Sequence, residues 1–450
     1  KAWDEPGPKS KILLKHGVDF TVRDKKNISP LMYFAWQGHI QELAVLLQEG
    51  VKPEQKFHPW GFTLLHALFR NNVIDPEAEP EDIDCMNNII ILTVSSGIEI
   101  NHQDDYGYTA LHYAVETRNH CDILLALGAN VSIQTKLGHN AIMLALMPEC
   151  AYNHSDISID LAKMYPRSEQ KGNRITSSRQ FQKLVEKNPN AVSAVDRKSR
   201  NTLHYLAMSH DTNHTESSQI LFKYATQDMI NQQDCDNNTP MHCALLHCAV
   251  AAQSFLRTKK KIDSDDDDSD SEEEEEKSRN VNWKANSFFI IDELLQRGAK
   301  LNIQNLYFKT AQHICCDLDR VALDPKCKSD ILATITEEDC KIQDGEGDTV
   351  LHKLARSGLL EFCNEKVLER ADCSILNHYG RSALHEACYV STDDESYTPN
   401  KELMLLLKSP HAKLNQQETF TRRTPLSILV HKFIELPKYE IASAIQFLLT

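Results

Sequence analysis

The stretch "DYGYTALHYAV", residues 105–115, holds His112 beside Tyr113 and close to Asp105. A histidine near a carboxylate and a phenol has the makings of a general base with an orienting partner. Three other stretches carry groups of the right type. "HCALLHC" sets Cys243 and His247 four residues apart, on one face of a helix. "HDTNH" holds His210 and His214 at the interval of zinc-binding helices, and "GEGD", 345–348, has the glycines of a phosphate loop. Each lacks something its chemistry needs. "HCALLHC" has no second Cys or His pair at metal-site spacing. "HDTNH" has no Glu beside its first histidine, and "GEGD" has no second half. No nucleophile elbow or Ser/His/Asp set appears. The sequence therefore assigns no catalytic residue, no metal ligand and no cofactor, and implies no small-molecule substrate.

His112 is instead one copy of a recurring part. Ten stretches align with it: "ISPLMYFA", "FTLLHALF", "YTALHYAV", "HNAIMLAL", "RNTLHYLA", "NTPMHCAL", "KTAQHICC", "DTVLHKLA", "RSALHEAC" and "RTPLSILV". Their second residues are Ser29, Thr63, Thr109, Asn140, Asn201, Thr239, Thr310, Thr349, Ser382 and Thr424. All are types that cap a helix by accepting an orphan backbone N–H. Pro30, Pro240 and Pro425 follow at the first helical position, where a missing N–H costs nothing. Leu, Ile or Met stands two after the cap in nine of the ten, Gln312 being the exception. Histidine stands three after it in seven: His66, His112, His204, His242, His313, His352 and His385. A second motif, "ILLKHGVDF", "LLQEGVK", "LLALGANVS" or "LLQRGAKLN", reads as a short amphipathic helix ended by a left-handed glycine. Turns such as "QDDYG" and "QDGEG" join the two motifs, with Gly or Asn two before the cap; Ser199, Phe308 and Arg422 break that rule.

The pattern resembles the T-P-L-H-x-A signature of ankyrin repeats, whose period is about 33 residues. The resemblance extends over nearly the whole length. It implies an all-α ankyrin-repeat solenoid: stacked helix-turn-helix units with finger loops, about ten to eleven of them, irregular and interrupted. One unit cannot bury its own apolar face, so neighbours must stack. It also implies that the seven histidines are structural anchors, each bonding around its cap and tying adjacent repeats together.

Longer gaps mark insertions. Segments 75–84, 148–156 and 391–400, with the acidic run "DSDDDDSDSEEEEE" at 263–276, all fall between a first helix and its second. They enter at the opposite end of the unit from the finger. The spacing from 140 to 201 suggests a further degenerate repeat whose second helix is "FQKLVEKNPNA". The domain reading is a fragment start at 1–11, repeats at 12–257, a disordered acidic insertion at 258–280, and repeats at 281–450. The array reads as cut at both ends. Of the net charge of −15, 11 negative charges lie in 263–276, leaving −4 for the rest. No basic stripe marks a nucleic-acid-binding face; the run Lys259–Lys261 is too short. Ser264, Ser269 and Ser271 each have an acidic residue three positions on, as acidophilic kinases require. Thirteen cysteines without regular spacing read as buried free thiols in a reducing compartment. With no signal peptide and no span long enough for a bilayer, the expectation is an intracellular protein, cytoplasmic or nuclear, not inserted in a membrane.

In ankyrin proteins partners lie across the fingers and first helices of the concave side. The tip positions, three and four before each cap, hold Trp60, Tyr106, Tyr307, Tyr379 and Phe420. The functional expectation is a scaffold that binds a protein or peptide there, with little salt dependence. The alternative is a non-catalytic, substrate-recruiting arm of a larger protein: an ADP-ribosyltransferase of the tankyrase kind, a ubiquitin ligase, a kinase or an ion channel. Deleting 262–278 is expected to leave the helical circular dichroism of the repeats intact, because loop length adds only slowly to closure cost. A loss of that signal would make the segment part of the fold.

Overall fold

Ten helices begin one residue after the ten Ser, Thr and Asn caps, three of them with proline at the first position. The cap backbones are extended, at φ −86° for Ser29, −95° for Asn140 and −87° for Thr310. Their side chains accept the N–H three residues on: Ser29 from Met32, Asn140 from Met143 and Thr310 from His313. The computed structural model describes residues 14–20, 22–25, 28–53, 60–71, 80–117, 120–147, 178–209, 214–262, 287–318, 322–389, 399–435 and 439–449. The fold is all-α. Among the described residues the only strand-like pairing is an isolated bridge from Gln343 to Thr349.

The chain divides into two units, 1–225 and 226–450. In the first, Pro30–Gln37, Leu64–Asn71, Ala110–Thr117, Ala141–Leu146 and Thr202–Met208 pack in sequence as one layer. Ile40–Gln48, Pro80–Ser95, Cys121–Ala126, Ser178–Lys187 and His214–Phe222 pack in the same order as a second layer. In the second unit the first layer is Pro240–Ile262, Ala311–Asp317, Val350–Ser357, Ala383–Tyr389 and Pro425–Glu435. Its second layer includes Pro325–Ala333, the short turn Leu360–Phe362, Pro399–Leu406 and Tyr439–Leu449. The apolar residue two after the cap lies between the layers: Leu65, Leu111, Leu203, Leu351 and Leu384 are all buried. Each such leucine stabilises the stack by about 1.5–3 kcal/mol. Gln312, the polar exception, is buried as well and donates to Asp339.

Three expectations change. Among the described residues no extra repeat separates the turns before the caps at 140 and 201. Ser178–Lys187 packs directly on Ala141–Leu146, and Arg197 N–H bonds the Leu137 carbonyl at 3.0 Å, so the two turns are immediate neighbours. That helix is the second helix of the repeat capped by Asn140. The helix expected to end at 257 runs Pro240–Ile262, so residues 258–262 are helical; 263–280, with Ser264, Ser269 and Ser271, lies outside the described residues. Finally, Pro80 and Pro399 open helices, so 80–84 and 399–400 belong to second helices, not to insertions.

The turns that break the glycine rule form nonetheless. Ser199, Phe308 and Arg422 take φ of 59°, 59° and 55°, alongside Gly107 at 83°. Gly107 has a further reason to be glycine, because a Cβ there would stand 2.7 Å from Lys136 N. Gly128, at φ 98°, ends a second helix with nothing within 4 Å of such a Cβ. Gly128→Ala is therefore expected to cost only the conformational strain, about 1–2 kcal/mol. Gly107→Ala should cost clearly more, since two turns must separate. Urea denaturation of both variants checks the order; equal losses would contradict the close approach.

Candidate functional site

The seven histidines occupy the third position of their helices, where Glu or Gln closes a capping box in other proteins. Here the imidazole does that work. Thr109 N–H donates to His112 Nδ1 at 2.9 Å, and the Thr109 hydroxyl lies 2.9 Å from the same nitrogen. The same pair of contacts joins Thr63 to His66, Thr239 to His242, Thr310 to His313, Thr349 to His352 and Ser382 to His385. In the fifth repeat Asn201 N–H donates to His204 Nδ1 at 3.2 Å. Because Nδ1 accepts, Nε2 carries the proton, and it points at the next repeat. His66, His112, His242, His313 and His352 donate to the carbonyls of Tyr108, Ile133, Lys309, Asp348 and Arg381 at 2.9–3.2 Å. His385 reaches Gln416 and Arg423. Where Met143 stands in place of histidine, the cap supplies the link: Asn140 Nδ2 donates to the Ala191 carbonyl at 2.8 Å.

The turns are held by residues the sequence reading did not single out. Five residues before the cap stands a buried Asp or Asn whose Oδ1 accepts two backbone N–H groups. Asp104 takes those of Tyr106 and Tyr108, both at 2.8 Å. Asp196, Asp234, Asn305, Asp344 and Asn377 repeat the arrangement. The second oxygen meets the residue four after the cap: Tyr113 donates to Asp104 at 2.8 Å and Tyr205 to Asp196 at 2.5 Å. Six before the cap stands a glutamine whose amide bridges two repeats. Gln103 donates to Gly107 and Gln134 carbonyls, and Gln134 to those of Gly138 and Val195. Gln233, Gln304 and Gln343 do the same in the second unit. Tip backbones join directly as well, Asp105 N–H to Trp60 O, Lys136 to Tyr106, Leu306 to Asp236 and Gly345 to Tyr307.

In the second unit Lys353 takes the place of those tyrosines, and a chain of charges follows from it. Its Nζ lies 3.3 Å from Asp344, 3.4 Å from Asp317, 3.6 Å from Asp348 and 3.8 Å from Glu346. Burial works against the ammonium, but the carboxylates outweigh it and its pKa is raised. Arg356 bonds both Asp348 and Glu386 at 2.9 Å, and Arg381 bonds Glu418 at 2.9 Å.

On this frame the five aromatic tips have different surroundings. Trp60 is half-buried, its ring edge-on to Trp36 with centroids 5.8 Å apart, and Tyr106 is half-buried. Tyr307, Tyr379 and Phe420 are 69%, 50% and 74% exposed. The buried cysteines offer no rival chemistry. Burial pushes the thiols of Cys121, Cys315 and Cys388 up to about 12, so they stay protonated. Among the described residues no cluster of His, Cys, Asp and Glu could hold a metal ion, and no helix is long and apolar enough to cross a membrane.

The histidine geometry has a consequence in acid. Burial, partly opposed by the carbonyl bond, lowers His66 and His112 from 6.5 to about 4. The unfolded chain then binds more protons than the folded one between those values. Stability is full above pH 6.5 and falls as the pH drops towards 4, by on the order of 3 kcal/mol for each of the two. The melting temperature is expected to fall across that window. His112→Ala should lower it at neutral pH, through a loss of about 1–3 kcal/mol, and shrink the acid-dependent fall. An unchanged fall would place the proton uptake elsewhere.

One family model matches part of this geometry. Residues 85–127 match the family described as "Ankyrin repeats (many copies)". That stretch holds the helix Pro80–Ser95 from Cys85 onward, the turn at Asp104–Gly107, the cap Thr109 and the helix Ala110–Thr117. Among solved structures, the ankyrin repeat domain of Bcl-3, titled a unique member of the IkappaB protein family, is similar at 16% identity with a TM-score of 0.36. The match covers 52% of this chain and 86% of that one. The cap recurs at ten helix starts, and a bond from the cap or its histidine to a carbonyl of the next repeat recurs at seven of them, so each unit folds as an all-α stack of ankyrin-type repeats.

Proposed function

We propose that the chain is a non-catalytic scaffold that holds a partner protein or peptide against its finger tips and first helices. Ankyrin repeats mediate protein–protein interaction in general, and the observation that carries the reading here is the exposure of Tyr307, Tyr379 and Phe420, the turns of the first two bonded to neighbours on both sides. Large rings on a rigid backbone bind with little loss of conformational freedom, and aromatic residues are over-represented among hot spots. The histidines, by contrast, are committed: each described ring is bonded to its cap, and burial holds His66 and His112 neutral. Trp60 stands apart from the exposed tips because Trp36 and Phe62 pack against it.

The test is a titration of a captured partner against four chains: wild type, the combined Tyr307→Ala/Tyr379→Ala/Phe420→Ala variant, Trp60→Ala, and a deletion of 263–276. The triple variant should lose at least about tenfold in affinity while melting like wild type. Trp60→Ala should lower the melting temperature instead. Full affinity in the triple variant, with loss on deletion of 263–276, would move the site to the acidic insertion.

A further inference from the structure

Phe308 stands two residues before the cap Thr310, where Gly107, Gly138, Gly347 and Gly380 stand in other turns, and it takes φ 59°. Left-handed backbone is unfavourable for a residue with a Cβ and most so for a bulky one. The ring gains little from the rest of the fold: Phe308 is 60% exposed, beside Leu306 at 55% and Tyr307 at 69%. Among the described residues no ring or cation lies on Tyr307 or Phe308, whereas the Tyr379 ring carries the Arg381 guanidinium at 5.7 Å. A strained position that displays an apolar ring is a place to look for a binding role.

Next to these rings the surface opens. Leu306, Tyr307, Phe308 and Lys309 face Asp344, Gly345 and Glu346 across a recess of about 390 Å³. The neighbouring tip is low because it is glycine, its N–H bonded to the Tyr307 carbonyl at 3.1 Å. The recess and the charges behind it are unbalanced. Asp317, Asp344, Glu346, Asp348 and Glu386 stand against Lys309, Lys353 and Arg356, with Arg381 reaching Glu386 alone of these at 3.8 Å. Of the carboxylates, Glu346 is the most open, half-exposed with its single ion-pair contact at 3.8 Å. An aromatic wall beside an under-neutralised carboxylate suits a cation.

We propose that this recess takes an arginine side chain from a basic, apolar-flanked stretch of the partner, its guanidinium on Tyr307 and Phe308 and its charge paired with Glu346. Arginine fits better than lysine because its planar group stacks on a ring and bonds a carboxylate through two N–H groups at once. The aliphatic flank covers Leu306. The inference rests on the finger-face reading and adds the chemistry of what binds there.

A random peptide library on phage, selected against the full chain, supplies the probe. One enriched peptide is then synthesised and its affinity measured by fluorescence anisotropy. Enriched peptides should carry arginine next to an apolar residue. Binding should weaken about tenfold on Tyr307→Ala or Phe308→Gly, and measurably on Glu346→Gln or on arginine-to-lysine exchange in the peptide. Phe308→Gly keeps the turn, since glycine occupies this place in other fingers, and its melting temperature should not fall. Failure to enrich any peptide, or an affinity untouched by all three variants, overturns both readings. Peptides without arginine that still lose affinity on Tyr307→Ala leave the finger face standing and overturn the arginine.

Discussion

Six of the repeats hang on an imidazole that bonds in two directions. Nδ1 closes the cap of its own helix, and Nε2 reaches a carbonyl in the following turn. One ring thereby satisfies a helix N-terminus and fixes the distance to the next unit. Only the neutral form does both, because a proton on Nδ1 would face the cap N–H. Burial supplies that neutrality, holding His66 and His112 near 4. Stacking and protonation state are therefore one property. A lone ankyrin unit would leave the outward nitrogen and its apolar layer without partners, which is why the unit exists only in arrays.

The finger face inherits its stiffness from the same economy. A turn of five residues has few backbone bonds of its own, yet Asp104 satisfies two of its N–H groups and Gln103 two carbonyls on successive turns. The tips are thus ordered before any partner arrives, and a ring displayed there loses little freedom on binding. The five tips differ because exposure is a property of pairs. Trp60 meets a tryptophan from the preceding repeat, while Tyr307 meets a glycine in the following one.

Local features were legible in the sequence because their causes are local. Ser29, Thr109 and Asn140 read as caps, and Pro30 and Pro240 as first helical residues, through bonds that span three positions. The Asp, Asn and Gln of the turns recur at fixed offsets, five and six before the cap, and that spacing was the signal to follow. The Oδ1 bonds of the Asp and Asn are local, but the second bond of each glutamine joins residues 31 to 71 apart, so no single window showed why the glutamines recur. The end of Pro240–Ile262 was hidden for a different reason. The apolar pattern stops near Leu256, but Arg257 and Lys259–Lys261 are good helix formers, and the helix runs on to Ile262. The interval from 140 to 201 could hold either an insertion or a repeat by length alone; only the pairing of the turns at 137 and 197 decides it.

The charge chain of the second unit makes the repeats non-interchangeable. Where histidine, cap and glutamine recur they are the same from unit to unit, and they would accept a like neighbour in any order. Lys353, Arg356 and Arg381 are not the same. Arg356, on one first helix, bonds Glu386 on the next, and Arg381 bonds Glu418 in the turn beyond. Asn377 ties Asp348 to Glu386 across the same boundary, at 2.8 and 3.2 Å. Charges this deep gain little net stability from pairing, because their desolvation offsets it, but a mispaired one is costly. Their effect is on order: a repeat with leucine at the position of Lys353 would leave Asp344 without its cation, although Arg356 would still hold Asp348. The apolar layer makes the units stack, and the buried ions determine which unit stacks on which.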